Sequence, residues 1–88
     1  MGPAEAARAA MEQVAQLTGL RIEGVSGLER GDDGEWRITV EALELRRVPD
    51  TMDLLGTYEV TVSDGGELVG FRRRRRYHRA GEEDEEQR

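Results

Sequence analysis

Two short glycine-containing turns limit what this chain can fold into more than any other feature. Gly31-Asp32-Asp33-Gly34 and Ser63-Asp64-Gly65-Gly66 each separate two runs rich in apolar residues. Asp-Gly and Gly-Gly steps supply the positive φ that tight hairpins need. A link this short cannot hold the crossover that parallel strands require, so the strands it joins are antiparallel. In the run Glu35 to Val48, Trp36, Ile38 and Val40 alternate with Arg37, Thr39 and Glu41, which makes one dry and one wet face. Pro49 ends that run, because proline lacks the donor a ladder needs and restricts the residue before it. A loop from Pro49 to about Gly56 follows, with Met52, Leu54 and Leu55 expected to anchor it to the core. Thr57 to Val62 is the third predicted strand, with Tyr58, Val60 and Val62 inward. Glu67 to about Tyr77 is the last. If Gly65-Gly66 forms the turn, Val62 faces Val69, Val60 faces Phe71, and Glu59 lies opposite Arg72 as an ion pair on the wet face. Arg21 to Arg30, with Ile22, Val25 and Leu28 broken by Gly24 and Gly27, is a weaker, twisted strand.

The segment before these strands is helical. Pro3 suits a first helical position, and Ala4 to Leu17 is rich in good helix formers. Ala7, Ala10, Met11, Val14 and Leu17 recur at helical spacing and form one predicted apolar stripe. Gly19 ends the helix, and Leu20 can fold back on its last turn. A helix of this length is marginal alone and needs a surface to lie on. The order is α-β-β-β-β: a two-layer α+β domain over residues 1–79, with the helix on one face of a four-stranded antiparallel sheet. Residues 80–88 have no large apolar residue and are expected to form a disordered acidic tail.

Size and composition exclude several function classes. A chain of 88 residues buries only about 60–65% of its unfolded surface, so a two-lobed enzyme is excluded. There is no Cys and one His, His78, which removes disulfides, thiolate metal sites and multi-histidine zinc sites. No apolar run reaches membrane-span length and no signal-peptide core is present, so the chain reads as soluble and intracellular. Catalysis finds little support. Candidate nucleophiles are Ser26, Ser63 and the five threonines, but His78 sits in an arginine run that disfavours its charged form. The pair Asp32/Asp33 belongs to a turn, and Glu41/Glu44 to a strand's solvent side or a bulge. No glycine forms a strand-to-helix phosphate loop. The expectation is a protein without enzymatic activity, cofactor or metal.

The charge is blocked. Residues 1–71 carry 6 Arg and 14 acids, residues 72–79 carry 6 Arg, and residues 80–88 carry 5 acids and 1 Arg, giving the net −6. Arg72, Arg73, Arg74, Arg75, Arg76 and Arg79, with Tyr77, therefore form a basic stripe on the last strand. It suits an acidic protein surface or a phosphate backbone. The competing reading is that these arginines pair with Glu41, Glu44, Glu59 and the tail and protect a sheet edge. Nucleic acid is disfavoured because the body is acidic and no aromatic stacking face accompanies the arginines, though a small nucleic-acid-binding or regulatory module is the alternative function. The apolar part of the strand ends at Phe71, so the stretch is expected to project past the helix, with Tyr77 returning to cap the core edge. The tail could fold back and mask the stripe, or simply solubilise the chain. Leu43 and Leu45 have the opposite parity to Trp36, Ile38 and Val40. Either a bulge near Glu41-Ala42 restores the face, or both leucines sit on the uncovered face as a docking patch.

The span from Trp36 to Arg79 is similar to the core of the gas vesicle synthesis protein O family. That pattern has a Trp-led strand with acidic residues (Trp36, Glu41, Glu44), then Pro49, Asp50 and Asp53. Tyr58-Glu59-Val60, the turn residues Asp64 and Gly66, and Arg76-Tyr77 with Arg79 complete it. The resemblance extends over roughly residues 10–79. It implies a non-enzymatic accessory factor of gas vesicle formation in a prokaryotic cytoplasm, binding other vesicle proteins, shell or accessory, with no catalytic or cofactor residues. Family members often carry an extended polar N-terminal region, whereas here the helix begins almost at Met1.

Overall fold

The computed structural model describes residues 1–81. Its elements run α1 (Pro3–Thr18), β1 (Arg21–Arg30), β2 (Trp36–Leu45), a single 3-10 turn (Asp50–Met52), β3 (Leu54–Val62) and β4 (Leu68–His78). The four strands form one sheet in sequence order, every neighbouring pair antiparallel. This is the predicted α-β-β-β-β architecture. The expected tail falls largely on residues 82–88, outside the described residues. Ala80 and Gly81 still belong to the ordered turn after β4, where the Arg79 and Ala80 amides donate to the Asp53 and Thr51 carbonyls.

Both hairpins close in the same way. The Gly31 amide donates to the Glu35 carbonyl and the Gly34 amide to the Gly31 carbonyl; Ser63, Glu67 and Gly66 repeat the arrangement. Gly34 and Gly66 take the left-handed conformation, φ 83° and 89°, as a type I turn followed by a bulge requires. The extra residue shifts the expected register at the turn. Val62 pairs with Leu68 rather than Val69, and the ladder regains the expected alignment at Val60–Phe71 and Glu59–Arg72.

The core lies between α1 and one face of the sheet. Ala6, Ala10 and Val14 meet Trp36, Ile38, Val40, Ala42, Tyr58, Val60 and Val62. Fully buried Ile38, Val40, Val60 and Val62 each contribute roughly 1.5–3 kcal/mol by leaving water. The buried helix stripe is rotated from the predicted one: Ala6 replaces Ala7 at its centre, and Leu17 is exposed. Small alanines let the helix approach the sheet, and the larger Leu17 falls past the edge of that contact. Met52 is likewise exposed rather than an anchor, while Leu54 and Leu55 are buried as the first residues of β3. Strand β2 ends at Leu45, short of the expected Val48, which is 98% exposed before Pro49.

Candidate partner-binding site

The five consecutive arginines are sorted between the two faces of the sheet by one irregularity. Thr57 pairs with Arg75 and Tyr58 with Arg73, so Arg74 is an extra residue without a ladder partner. Unbroken alternation would send Arg73, Arg75 and Tyr77 to the helix side with Phe71. The bulge reverses the parity beyond it. Arg73 and Arg76 lie on the helix side, whereas Arg72, Arg74, Arg75 and Tyr77 lie on the open side.

Each group finds its own carboxylate. On the helix side Glu44, at an irregularity between Leu43 and Leu45, receives Arg73 at 2.9 Å and Arg76 at 3.0 Å. It also accepts the Tyr58 hydroxyl at 2.6 Å. Gly56 makes room for this carboxylate, because a Cβ there would overlap it. On the open side Glu59 receives Arg72 at 3.3 Å and Arg74 at 2.6 Å. The Arg75 guanidinium lies over the Tyr77 ring, 4.5 Å from its centroid. Arg79 bridges Glu23 at 2.9 Å and Asp53 at 3.2 Å. Among the described residues, the carboxylates of Glu23, Glu44, Asp53 and Glu59 thus meet Arg72, Arg73, Arg74, Arg76 and Arg79. The pairing with Glu44 and Glu59 that the sequence suggested is present. Glu41 instead accepts three hydroxyls, from Ser26, Thr57 and Tyr77.

Tyr77 does not cap the core edge as expected. The bulge turns it to the open face, where its hydroxyl reaches Glu41 at 2.8 Å. Burial, then the bond to Glu41, pushes its pKa up to about 12; burial and Glu44 do the same for Tyr58, also to about 12. Asp53 is the hub of the β2–β3 connection. Its carboxylate accepts the Arg47 amide at 2.7 Å and the Arg79 guanidinium. The Arg47 amide foremost holds its carboxyl below the usual carboxylate range, against the opposing effect of burial. The His78 ring contacts the Met52 carbonyl, and no cluster of metal-ligating side chains occurs among the described residues.

Strand β2 runs without a shift against β3 through Glu41 and Ala42, so no bulge there returns both leucines to the core. Leu43 stays on the open face opposite Leu55, and the shift at Glu44 separates it from Leu45, which is half exposed. Across the sheet the paired residues Arg21, Leu43, Leu55 and Tyr77 form one row on the open face. Sequence reasoning missed this row because its members come from four strands. It also missed the groove of about 350 Å³ beside it, lined by Arg21, Glu23, Leu43, Arg46, Arg47 and Arg79 with Asp50 and Asp53.

Half of the residues that carry the sequence resemblance are partners in space. Glu41 meets Tyr77, Glu44 meets Tyr58 and Arg76, and Asp53 meets Arg79. The comparisons agree with this. Residues 1–84 match the family described as gas vesicle synthesis protein GvpO. The chain is 54% identical over 77 residues to gas vesicle protein O of Streptomyces sp. (strain CB03234), covering 88% of this chain and 59% of that protein. It is 33% identical over 85 residues to gas vesicle protein O of Haloferax mediterranei, covering 97% and 61%. With gas vesicle protein O1 of Halobacterium salinarum it shares 37% over 76 residues, covering 86% and 63%. The chain thus spans about three fifths of the length of each of these relatives. No solved structure matches it. A match over nearly the whole chain, joined to these identities, places it plainly: the chain belongs to the gas vesicle synthesis protein O family.

Proposed function

We propose that this chain is a non-enzymatic accessory protein of gas vesicle formation, acting in the cytoplasm or on the vesicle by binding other gas vesicle proteins. The observation that carries this reading is the family match over residues 1–84, with relatives named for the vesicle itself. Binding, rather than chemistry, fits an open sheet face whose glutamates Glu41 and Glu59 are already committed to neighbouring side chains. Glu41 is occupied by three hydroxyls and Glu59 by two guanidiniums. A general base would need a free lone pair aimed at substrate. No helix among the described residues is long and apolar enough to cross a membrane, which fits a factor acting from the aqueous side.

The contact surface in this reading is the open face together with the outer side of β4: Arg72, Arg74 and Arg75, the Tyr77 ring, and Leu43. Arg72 is 67% exposed and keeps donors free beyond Glu59. Arg73 and Arg76 serve Glu44 first, so their replacement confounds folding with binding. The test is co-purification of tagged full-length chain with the other vesicle proteins from a vesicle-forming cell, with Arg72→Gln and Arg74→Gln as the variant. The expected result is recovery of a vesicle protein by the parent chain and a salt-sensitive loss in the variant. Normal vesicles in a strain lacking the gene would overturn the reading. Nucleic acid, the competing partner for the arginine strand, has less support now that Glu44 and Glu59 take up four of those arginines.

A further inference from the structure

Among the described residues, Arg21, Arg46 and Arg47 form no side-chain hydrogen bond or ion pair, and all three line the groove at the β2–β3 end of the open face. They come from β1 and from the connection after β2, and they stand around Leu43. The groove shares Glu23 and Arg79 with a second depression of about 320 Å³ that continues to Glu41, Leu55 and Tyr77. Glu23 and Asp53 share the single Arg79 guanidinium, and Glu41 keeps its charge while accepting three hydroxyls. With Asp50, the first groove sets four guanidiniums against three carboxylates, an excess of one positive charge. Among the described residues, the surface thus offers three guanidiniums without a hydrogen bond or ion pair at one end, and the half-buried Leu43 and Tyr77 leading away from them across the buried Leu55.

We propose that this continuous groove docks an acidic segment of a partner protein, with carboxylates against Arg21, Arg46 and Arg47 and a following apolar side chain on the half-buried Leu43 and Tyr77. Guanidiniums match carboxylates in charge and in forked geometry. A peptide is favoured over a nucleic acid because Glu23, Asp50 and Asp53 interrupt the positive surface. A continuous phosphate backbone would meet them, whereas separated carboxylates avoid them. This deepens the proposed binding role and rests on it only for who the natural partner is. The peptide chemistry is testable on the isolated protein, so failure here is distinct from failure of co-purification.

The experiment is fluorescence anisotropy of the full chain with a fluorescein-labelled peptide, Gly-Glu-Asp-Glu-Gly-Leu-Gly. Controls carry Gln-Asn-Gln for the acids or Ser for Leu, and short single-stranded DNA serves as competitor. The acidic peptide is expected to bind, weakening as salt rises, with both control peptides weaker. Arg46→Gln with Arg47→Gln should raise Kd about fivefold, and Asp50→Asn should lower it about twofold, by removing or relieving exposed charge interactions. These side chains hold nothing else in place, so circular dichroism should stay unchanged. Equal binding of the Gln-Asn-Gln peptide, no effect of the Arg46/Arg47 variant, no detectable binding, or stronger binding of DNA than of peptide would each overturn the proposal.

Discussion

Strand β2 carries two glutamates three residues apart that have opposite fates, and they summarise the two faces of the sheet. Glu44 lies on the helix side, nearly buried, and is neutralised by two guanidiniums and a phenol. Glu41 lies on the open side and is satisfied by hydroxyls alone. The helix-covered face can host a charge only with a full counter-charge, because losing hydration costs several kcal/mol per ion. The open face keeps water nearby, so neutral donors suffice there and guanidiniums remain available for other anions. The helix-covered face holds the core, and in the proposed role the open face does the binding.

The largest expected effect tests the division itself. Ile38→Ala should cost about 2–5 kcal/mol, since the site is closed and a cavity remains. Leu43→Ala on the open face should cost about 1 kcal/mol or less by urea denaturation, and equal costs would erase the distinction. Next comes the charge contrast. Glu44→Gln should cost about 1–3 kcal/mol, discounted from a fully buried pair because Arg73 is partly exposed. Glu41→Gln should cost under about 1 kcal/mol, because its amide oxygen still accepts hydroxyls. Gly56→Ala sharpens the same point: it should cost about 1–3 kcal/mol by displacing the Glu44 carboxylate. In a Glu44→Ala background that cost should largely vanish, a coupling that a double-mutant cycle reads directly.

The smallest effects concern pH. Tyr58 and Tyr77 have folded pKa values raised to about 12, above the ordinary value of about 10. The native state therefore favours the neutral phenols. Their contribution is complete below about pH 10 and is lost as pH rises toward 12. Tyr58→Phe with Tyr77→Phe should flatten stability across that window by urea denaturation at each pH, while tyrosinate absorbance of the parent chain, whose two tyrosines these are, follows their titration. Asp53 has the opposite sign. Its folded pKa lies below 3.8, so its contribution is present above that value and is lost as pH falls below it. Asp53→Asn should remove that acid-side slope.

The fold was legible because its signals are local. Turn glycines, the alternation of Trp36 to Val40 and the helix composition each need only a short window, and they agree with one another. The site was less legible because it depends on single-residue insertions. The Arg74 bulge decides which arginines meet Glu44 and which way Tyr77 points, and five identical residues in a row give no sign of where the extra one sits. Leu43 and Leu45 were ambiguous for the same reason, with the shift at Glu44 rather than near Ala42. The cations at the groove were invisible, since Arg21, Arg46 and Arg47 are distant or unremarkable in sequence and converge only through the β1–β2 pairing and the turn that follows.

The helix rests on β1, β2 and β3, leaving β4 at its margin. That strand is held by one ladder, by Phe71 stacked on Tyr58 at 5.5 Å, and by ion pairs that weaken together as ions screen them. Backbone opening of β4 should consequently respond to ionic strength. Amide exchange along Arg72 to Tyr77 should quicken with added salt, while Ile38 and Val40 exchange only through global unfolding. In the proposed binding role, such a salt-sensitive strand would set how firmly Tyr77 is held at the open face.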